Sequence, residues 1–421
     1  MSTSVMFCAA YRISSGSDFF MARRPVVTRE EKLAAFDFLF CHLAGGLSPA
    51  SRQLPEGGES AELDAIHGRM PHLCGQHPAY LAMDMELLAG DGLRHADAHW
   101  LVPTIAATMA PSPALLVHLR ELKDRGFRLA LEVQADTPEL QAMLPLIDVV
   151  RIDLKGRDAK QLPALVRACA GKGRMLLAEH VDTRVQFEVA RKLGFAQFQG
   201  YFFAQPQPGA AMAPSQIALT EMIRLVNGDA DIGELEHCVK TDVTLGLHLL
   251  RLVNSAAAGS RRIDSIRQAL MVMGRQKLAQ CLQVLLYAQS AGRTDSALTL
   301  QALNRGRLLE RVALHVYPGN LSMADTAFTV GIMSLMDALF GMPMVDLLQQ
   351  MPVVEEVAEA LLERKGFFGR LLQLAQHTEW TEKGDTMLVP LLDFFRLSCG
   401  ELYLMQLDAF EWSITALQRM R

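Results

Sequence analysis

The sequence predicts an α/β domain followed by an all-α domain. Three observations carry this: short apolar runs alternating with amphipathic stretches over residues 19–208, a Pro- and Gly-containing break at 205–214, and helical spacing without strand-like alternation beyond it. A chain of 421 residues is also too long for one ordinary core and suits two.

Taken in order, the first 17 residues read as a tail. They lack a basic start and a clean hydrophobic run, so no signal peptide is expected, and Met21 is a rival start to Met1. Residues 127–133 (FRLALEV), 147–153 (IDVVRID), 174–179 (RMLLAE) and 198–203 (FQGYFF) are buried strands by length and composition. Helix-like stretches at 113–125, 158–170 and 183–193 lie between them, two of them stopped by Gly126 and Gly194. Repeated β–α units of this kind mean a parallel sheet, open or closed into a barrel. The segment QPQPGAAMAP at 205–214 is a natural linker. Beyond it the chain turns helical, with stretches at 265–273, 276–289, 299–317, 324–340, 344–350, 354–363 and 367–376. The expected division is 1–17 tail, 18–208 barrel, 209–214 linker and 215–421 helical domain.

Composition excludes several classes. A net charge of −5 gives no electrostatic case for nucleic acid. No run of 18 uncharged apolar residues is present, so no membrane span is expected. The seven cysteines are scattered without a C-x-x-C pair and read as reduced thiols of a cytoplasmic protein. The 22 methionines read as adaptable core filler. There is no glycine-rich phosphate loop and no G-x-S-x-G elbow. His95-Ala-Asp-Ala-His99 has metal-like residue types, but a polar loop beside Trp100 is the better reading.

Residues 22–25 (ARRP), 176–183 (LLAEHVDT) and 194–206 (GFAQFQGYFFAQP) resemble the start, a strand end and the closing strand of EAL domains. The resemblance implies a modified TIM barrel whose family hydrolyses cyclic di-GMP with two divalent ions held by acidic and amide oxygens. Matched to that family, the acidic residue of the FDFLFC run is Asp37, and Cys41 stands where an arginine would touch phosphate. Ala82 and Pro103 fall at ligand positions. In LALEVQ, Glu132 keeps one carboxylate and Val133 deletes the other. Arg151 stands where the family has a catalytic lysine, and an arginine cannot serve as an adjustable proton carrier. Glu179 and the base-contacting Gln199 are retained.

With at least three ligand positions lacking an oxygen, ordinary two-metal hydrolysis is not expected, and Asp37, Glu132, Arg151 and Glu179 read as vestigial. If a nucleotide binds, Gln199, Arg151 and Glu179 are the residues to touch it. Two plainer roles stand beside this: Glu179 as the ion-pair partner of Arg151, and Gln199 as a cap on a strand or turn.

In the second half, DIGELEHCVKTD (231–242), LLRLVNSA (249–256) and IDSIRQALMVMG (263–274) resemble the HDOD domain, a helical module without metal ligands. No His-Asp dipeptide occurs in the chain, and His237 and His248 stand alone on helical segments. The expectation is therefore a barrel that is not an enzyme and needs no cofactor. It would act as scaffold or cyclic-di-GMP sensor, while the helical half docks a signalling protein. The alternative is a weak cyclic-di-GMP phosphodiesterase using Asp37, Glu132, Asp153 and Glu179 with Mg²⁺ or Mn²⁺. A third reading is an inert scaffold that folds and dimerises. Homodimers are common among EAL barrels, so a homodimer is left open.

Overall fold

A computed structural model describes residues 19–42, 68–83, 96–206, 214–228, 266–288, 297–379 and 387–420, a few single positions apart. The linker at 209–213, the LLRLVNSA run with Asn254 and Ser255, and His95, His237 and His248 lie outside the described residues.

Eight strands close into a barrel in chain order: β1 (Phe19–Thr28), β2 (Leu33–His42), β3 (Ala79–Met83), β4 (Leu101–Ile105), β5 (Ala130–Val133), β6 (Val149–Asp153), β7 (Met175–Glu179) and β8 (Gln197–Gln199). All neighbours pair parallel except β1, which runs antiparallel to both β2 and β8. That one reversed strand is the modification of the (β/α) plan. It lets a tight turn at residues 29–32 join β1 to β2 without a crossover helix.

Local chemistry sets the helix ends. In α1 (Met70–Cys74), Pro71 occupies the first turn, where no N–H is needed. The Ser112 hydroxyl caps α2 (Pro113–Asp124), accepting from Leu115 N at 3.1 Å. Thr137 caps the short α3 (Pro138–Met143) in the same way. After α4 (Leu162–Cys169), a reciprocal Thr183–Gln186 capping box opens α5 (Arg184–Leu193), and Gly194 at φ 103° ends it.

The pleat sorts side chains by two. Val26, Ala35, Tyr80, Val102, Ala130, Val149 and Leu177, one from each of β1 to β7, form an inner apolar layer. Their outward neighbours Val27, Phe36, Leu81, Leu131, Val150 and Ala178 pack against the helices. Two residues along each strand, the chain points inward again, and that second inward layer is where the polar side chains gather.

Sequence and structure differ at the closing strand. Regular pairing stops at Gln199, and residues 202–204 form a 3₁₀ turn instead of more strand. Gly200 causes the stop. It sits at φ 148°, and a Cβ there would collide with the Val181 backbone. Gly200→Ala is expected to destabilise the chain by about 2 kcal/mol or more, since backbone strain and a backbone clash add. Urea denaturation measures this, and an unchanged midpoint would show that the loop simply yields.

The helical half comprises α6 (Pro214–Asn227), α7 (Ile266–Ala288), α8 (Ala297–Val316), α9 (Leu321–Met333), α10 (Met336–Phe340), α11 (Met344–Gln350), α12 (Glu355–Glu363), α13 (Gly366–Glu379), α14 (Leu388–Phe395) and α15 (Cys399–Met420). Gly274 at φ 77° breaks α7 between the two helices expected at 265–273 and 276–289. The single helix expected at 324–340 is divided at Ser334 and Leu335. There the Ser334 hydroxyl donates to Gly331 O and accepts from Arg305. Gly306 and Gly331 let α8 and α9 touch backbone to backbone, since a Cβ on Gly331 would come within 2.6 Å of Gly306 Cα. The stretch Leu321–Phe340 is apolar and long enough to cross a membrane by length and composition. It carries Asp325 and Asp337 and is mostly buried in the helical core.

The last helix returns to the barrel. Tyr403, Leu407, Phe410, Ile414 and Leu417 of α15 join the barrel core. Arg23, on the outward face of β1, donates to Leu73 O (2.7 Å), Phe410 O (3.3 Å) and Ser413 Oγ (2.9 Å), and lies 4.3 Å from the Phe410 ring centre.

Candidate functional site

The second inward layer of the barrel is built from all eight strands. Arg24 comes from β1, Asp37 from β2, Ala82 from β3, Thr104 from β4, Glu132 from β5, Arg151 from β6, Glu179 from β7 and Gln199 from β8. It lies at the carboxyl ends of the parallel strands, where barrels of this plan carry their chemistry.

Arg151 is its centre. Its guanidinium Nη2 contacts Asp37 Oδ1 at 2.8 Å, and Nε donates to Glu179 Oε1 at 2.8 Å, with Nη2 reaching the same oxygen. Nη1 donates to Thr104 Oγ1 at 3.3 Å, and the guanidinium lies 5.3 Å from the Tyr80 ring centre. Arg151, Asp37 and Glu179 are each at most 5% exposed. Burial alone lowers the Arg151 pKa, but the Asp37, Glu179 and Glu132 carboxylates more than offset it, so the guanidinium is held charged. Tyr80 is pushed up to about 12 by burial and donates its hydroxyl to Gln197 Oε1 at 2.6 Å. It forms an uncharged floor beneath the ion pair.

Gln199 is turned to a backbone task. Its Oε1 accepts from His180 N at 3.2 Å and its carbonyl accepts from Val181 N. His180 itself sits at φ 55°, and its Nδ1 contacts Asp153 Oδ1 at 2.7 Å. A small cavity of about 10 Å³ opens between Arg24, Asp37, Glu132, Arg151, Glu179 and His180. That is about the room one water needs.

The structure thus brings Asp37, Glu132, Arg151 and Glu179 together, with Gln199 on the neighbouring strand. Two assignments change. Pro103 falls on the outward side of the β4 pleat, and the inward residue is Thr104, which a strict period of two would have found. Val133 packs outward into the barrel–helix core, so it takes no part in the layer. Sequence reasoning also passed over Tyr80, which carries no motif, and over Arg24 and His180, although these lie inside the ARRP and LLAEHVDT runs. In the set-aside HADAH segment, Asp97 Oδ1 accepts from His99 N at 2.8 Å and His99 packs edge-on to Trp100, a loop structure.

The two divalent ions implied by the EAL resemblance do not fit this arrangement. The carboxylates of Asp37 and Glu179 both face one guanidinium, and no group of three or more His, Cys, Asp or Glu converges on a metal position among the described residues.

A closed barrel with a polar carboxyl mouth, joined to a helical half, defines a two-domain architecture. The family model for the EAL domain matches residues 92–206 and that for the HDOD domain residues 213–364. The chain belongs to the EAL–HDOD family.

Two curated relatives extend the match. The cyclic di-GMP phosphodiesterase CdgJ of Vibrio cholerae is 31% identical over 291 residues, covering 68% of this chain and 66% of that protein, just under two thirds of its length. The uncharacterized protein YuxH of Bacillus subtilis is 24% identical over 416 residues, covering 93% of this chain and 97% of that one. Among solved structures, an EAL domain protein of Listeria monocytogenes is 20% identical, covers 44% of this chain and 87% of its own, and has a TM-score of 0.38. Klebsiella pneumoniae BlrP1, solved with manganese and cyclic di-GMP, is 20% identical, covers 45% and 56%, and has a TM-score of 0.36.

The expectation of a degenerate barrel that is not an enzyme does not stand against CdgJ, a phosphodiesterase at 31% identity. Its physical weakness was to equate three lost oxygens with lost chemistry. Two of the three positions, Pro103 and Val133, lie outside the inward layer, and four carboxylates remain at the strand ends: Asp37, Glu132, Asp153 and Glu179.

Proposed function

We propose that this chain works in cyclic-di-GMP signalling as a slow cyclic-di-GMP phosphodiesterase, acting at the carboxyl mouth of the barrel. The observation that carries the reading is the single polar layer holding Asp37, Glu132 and Glu179 with Gln199 at the ends of β2, β5, β7 and β8. The 31% identity with CdgJ supports the same substrate. Arg151 is what makes turnover slow. Its contacts with Asp37 and Glu179 tie up the oxygens a phosphodiester centre would use, so turnover requires those contacts to break. On this reading the helical half is the module that docks a signalling partner.

The test is calorimetry of the full chain with cyclic di-GMP, with and without Mg²⁺ or Mn²⁺, followed by chromatography for the linear dinucleotide. Product is expected at a low rate. Glu179→Gln, which keeps an acceptor for Arg151, is expected to cut the rate by about tenfold to 100-fold. Binding with no product under any ion condition would sink the reading.

A further inference from the structure

His180 is built into the barrel mouth on a strained backbone. Its φ of 55° lies in the left-handed region, which a residue with a side chain seldom holds and glycine holds freely. The flanking backbone over-determines it. Leu154 N donates to Glu179 O at 3.1 Å, His180 N to Gln199 Oε1 at 3.2 Å, Val181 N to Gln199 O at 3.0 Å and Phe202 N to Val181 O at 3.1 Å. Strain kept in this way points to a task for the side chain.

The pleat shows where that side chain goes. Asp153 is the next inward residue of β6 after Arg151, one layer nearer the mouth. His180 Nδ1 contacts Asp153 Oδ1 at 2.7 Å, so the ring spans from the end of β7 to the end of β6, over the layer that holds Arg151 and Glu179. Exposure runs the same way. The side chains of Asp153 and His180 are 40% and 11% exposed, those of Glu179 and Arg151 only 7% and 4%. The cavity that His180 helps to line is about 10 Å³, room for one water and far short of a phosphodiester with its sugars. We propose that His180, pinned by Asp153, closes the mouth over Arg151 and Glu179 and must turn aside before cyclic di-GMP reaches them. This role rests on the phosphodiesterase reading of the site, to which it adds the entry step: Arg151 slows the chemistry, and His180 limits access.

The experiment sets the full chain beside His180→Gly, with calorimetry of cyclic di-GMP and chromatography of its linear product, with and without Mn²⁺. Glycine removes the ring and suits the backbone. The variant is expected to lower both the dissociation constant and KM about tenfold, the worth of the charged contact a ligand no longer displaces, and to leave kcat within about threefold. A residue that merely tied β6 to β7 would not split KM from kcat in this direction. Should His180→Gly fail to fold, His180→Asn, shorter than the ring and tolerant of the same backbone, is expected to shift KM with the same sign. A silent parent beside a glycine variant that binds would support the closure while removing the parent's turnover. A parent that binds, with a glycine variant no tighter, would overturn the role of His180 alone. A kcat that rises at unchanged KM would overturn it too, since the ring would then bear on the chemistry and not on entry. Silence from both proteins would overturn the phosphodiesterase reading and this role with it.

Discussion

Arg305→Leu is expected to cost the full chain about 3–5 kcal/mol of stability in urea denaturation, the loss that follows breaking a buried ion pair from one side. Arg305 on α8 holds Glu379 of α13 through both ends of the guanidinium, Nε to Oε1 at 2.8 Å and Nη2 to Oε2 at 2.7 Å. Nη1 donates to Ser334 Oγ at 3.0 Å. From the barrel, Tyr201 donates its hydroxyl to Glu379 Oε2 at 2.6 Å. The pair is 3% and 9% exposed, so water cannot replace the missing cation. Burial and then the Glu379 carboxylate push the Tyr201 hydroxyl well above its ordinary range, which keeps it a donor. The double variant Arg305→Leu with Glu379→Leu is expected to recover most of the loss, because removing both charges leaves none stranded. A single-variant loss under about 1 kcal/mol, the value of an exposed pair, would mean the network is wet.

That network also joins the two halves. Tyr201 follows Gln199 and Gly200 at the exit of β8, so the same turn that shapes the barrel mouth is fastened to α8 and α13. Arg23 makes a second fastening on the far side of β1, through α15. The two halves therefore meet through buried hydrogen bonds on both sides of the first strand's neighbourhood.

Much of this was legible in the residues. The apolar runs gave β5, β6 and β7, and Gly194 and Thr183 marked the ends of α5, because strand burial and helix capping are local properties. The polar layer was also legible in principle. Counting by two from Ala130, Val149 and Leu177 reaches Glu132, Arg151 and Glu179, and the same count from Val102 reaches Thr104. Matching β4 by family position gave Pro103 instead, one residue off, and one residue turns a strand side chain to the opposite face. The partners of Arg23 and Arg305 were not legible. They lie 387 and 74 residues away at Phe410 and Glu379, and no spacing rule spans such separations.

The barrel mouth yields the other large effect. Arg151→Met is expected to leave the carboxylates of Asp37 and Glu179 facing each other without a cation, since both contact the same guanidinium nitrogen in the parent. Like charges in a buried site disfavour ionisation, so their shared affinity for a proton rises above that of the unfolded chain. The sign follows by linkage. Groups whose folded pKa exceeds the unfolded one lose stability as pH rises through the folded value. The variant is therefore expected to approach the parent's stability near pH 5 and to fall about 3–5 kcal/mol below it near pH 8. Divalent ions supply the second half of the test. With the guanidinium gone, Mn²⁺ competes with protons for the same oxygens, and at 100 times its dissociation constant it restores about 2.7 kcal/mol. The parent, whose oxygens are already held, is expected to show little Mn²⁺ response. Melting curves of both proteins at two pH values, with and without Mn²⁺, separate the cases. A variant that melts alike at pH 5 and 8 and ignores Mn²⁺ would mean that Asp37 and Glu179 do not converge, and the polar layer would lose its claim to be the site.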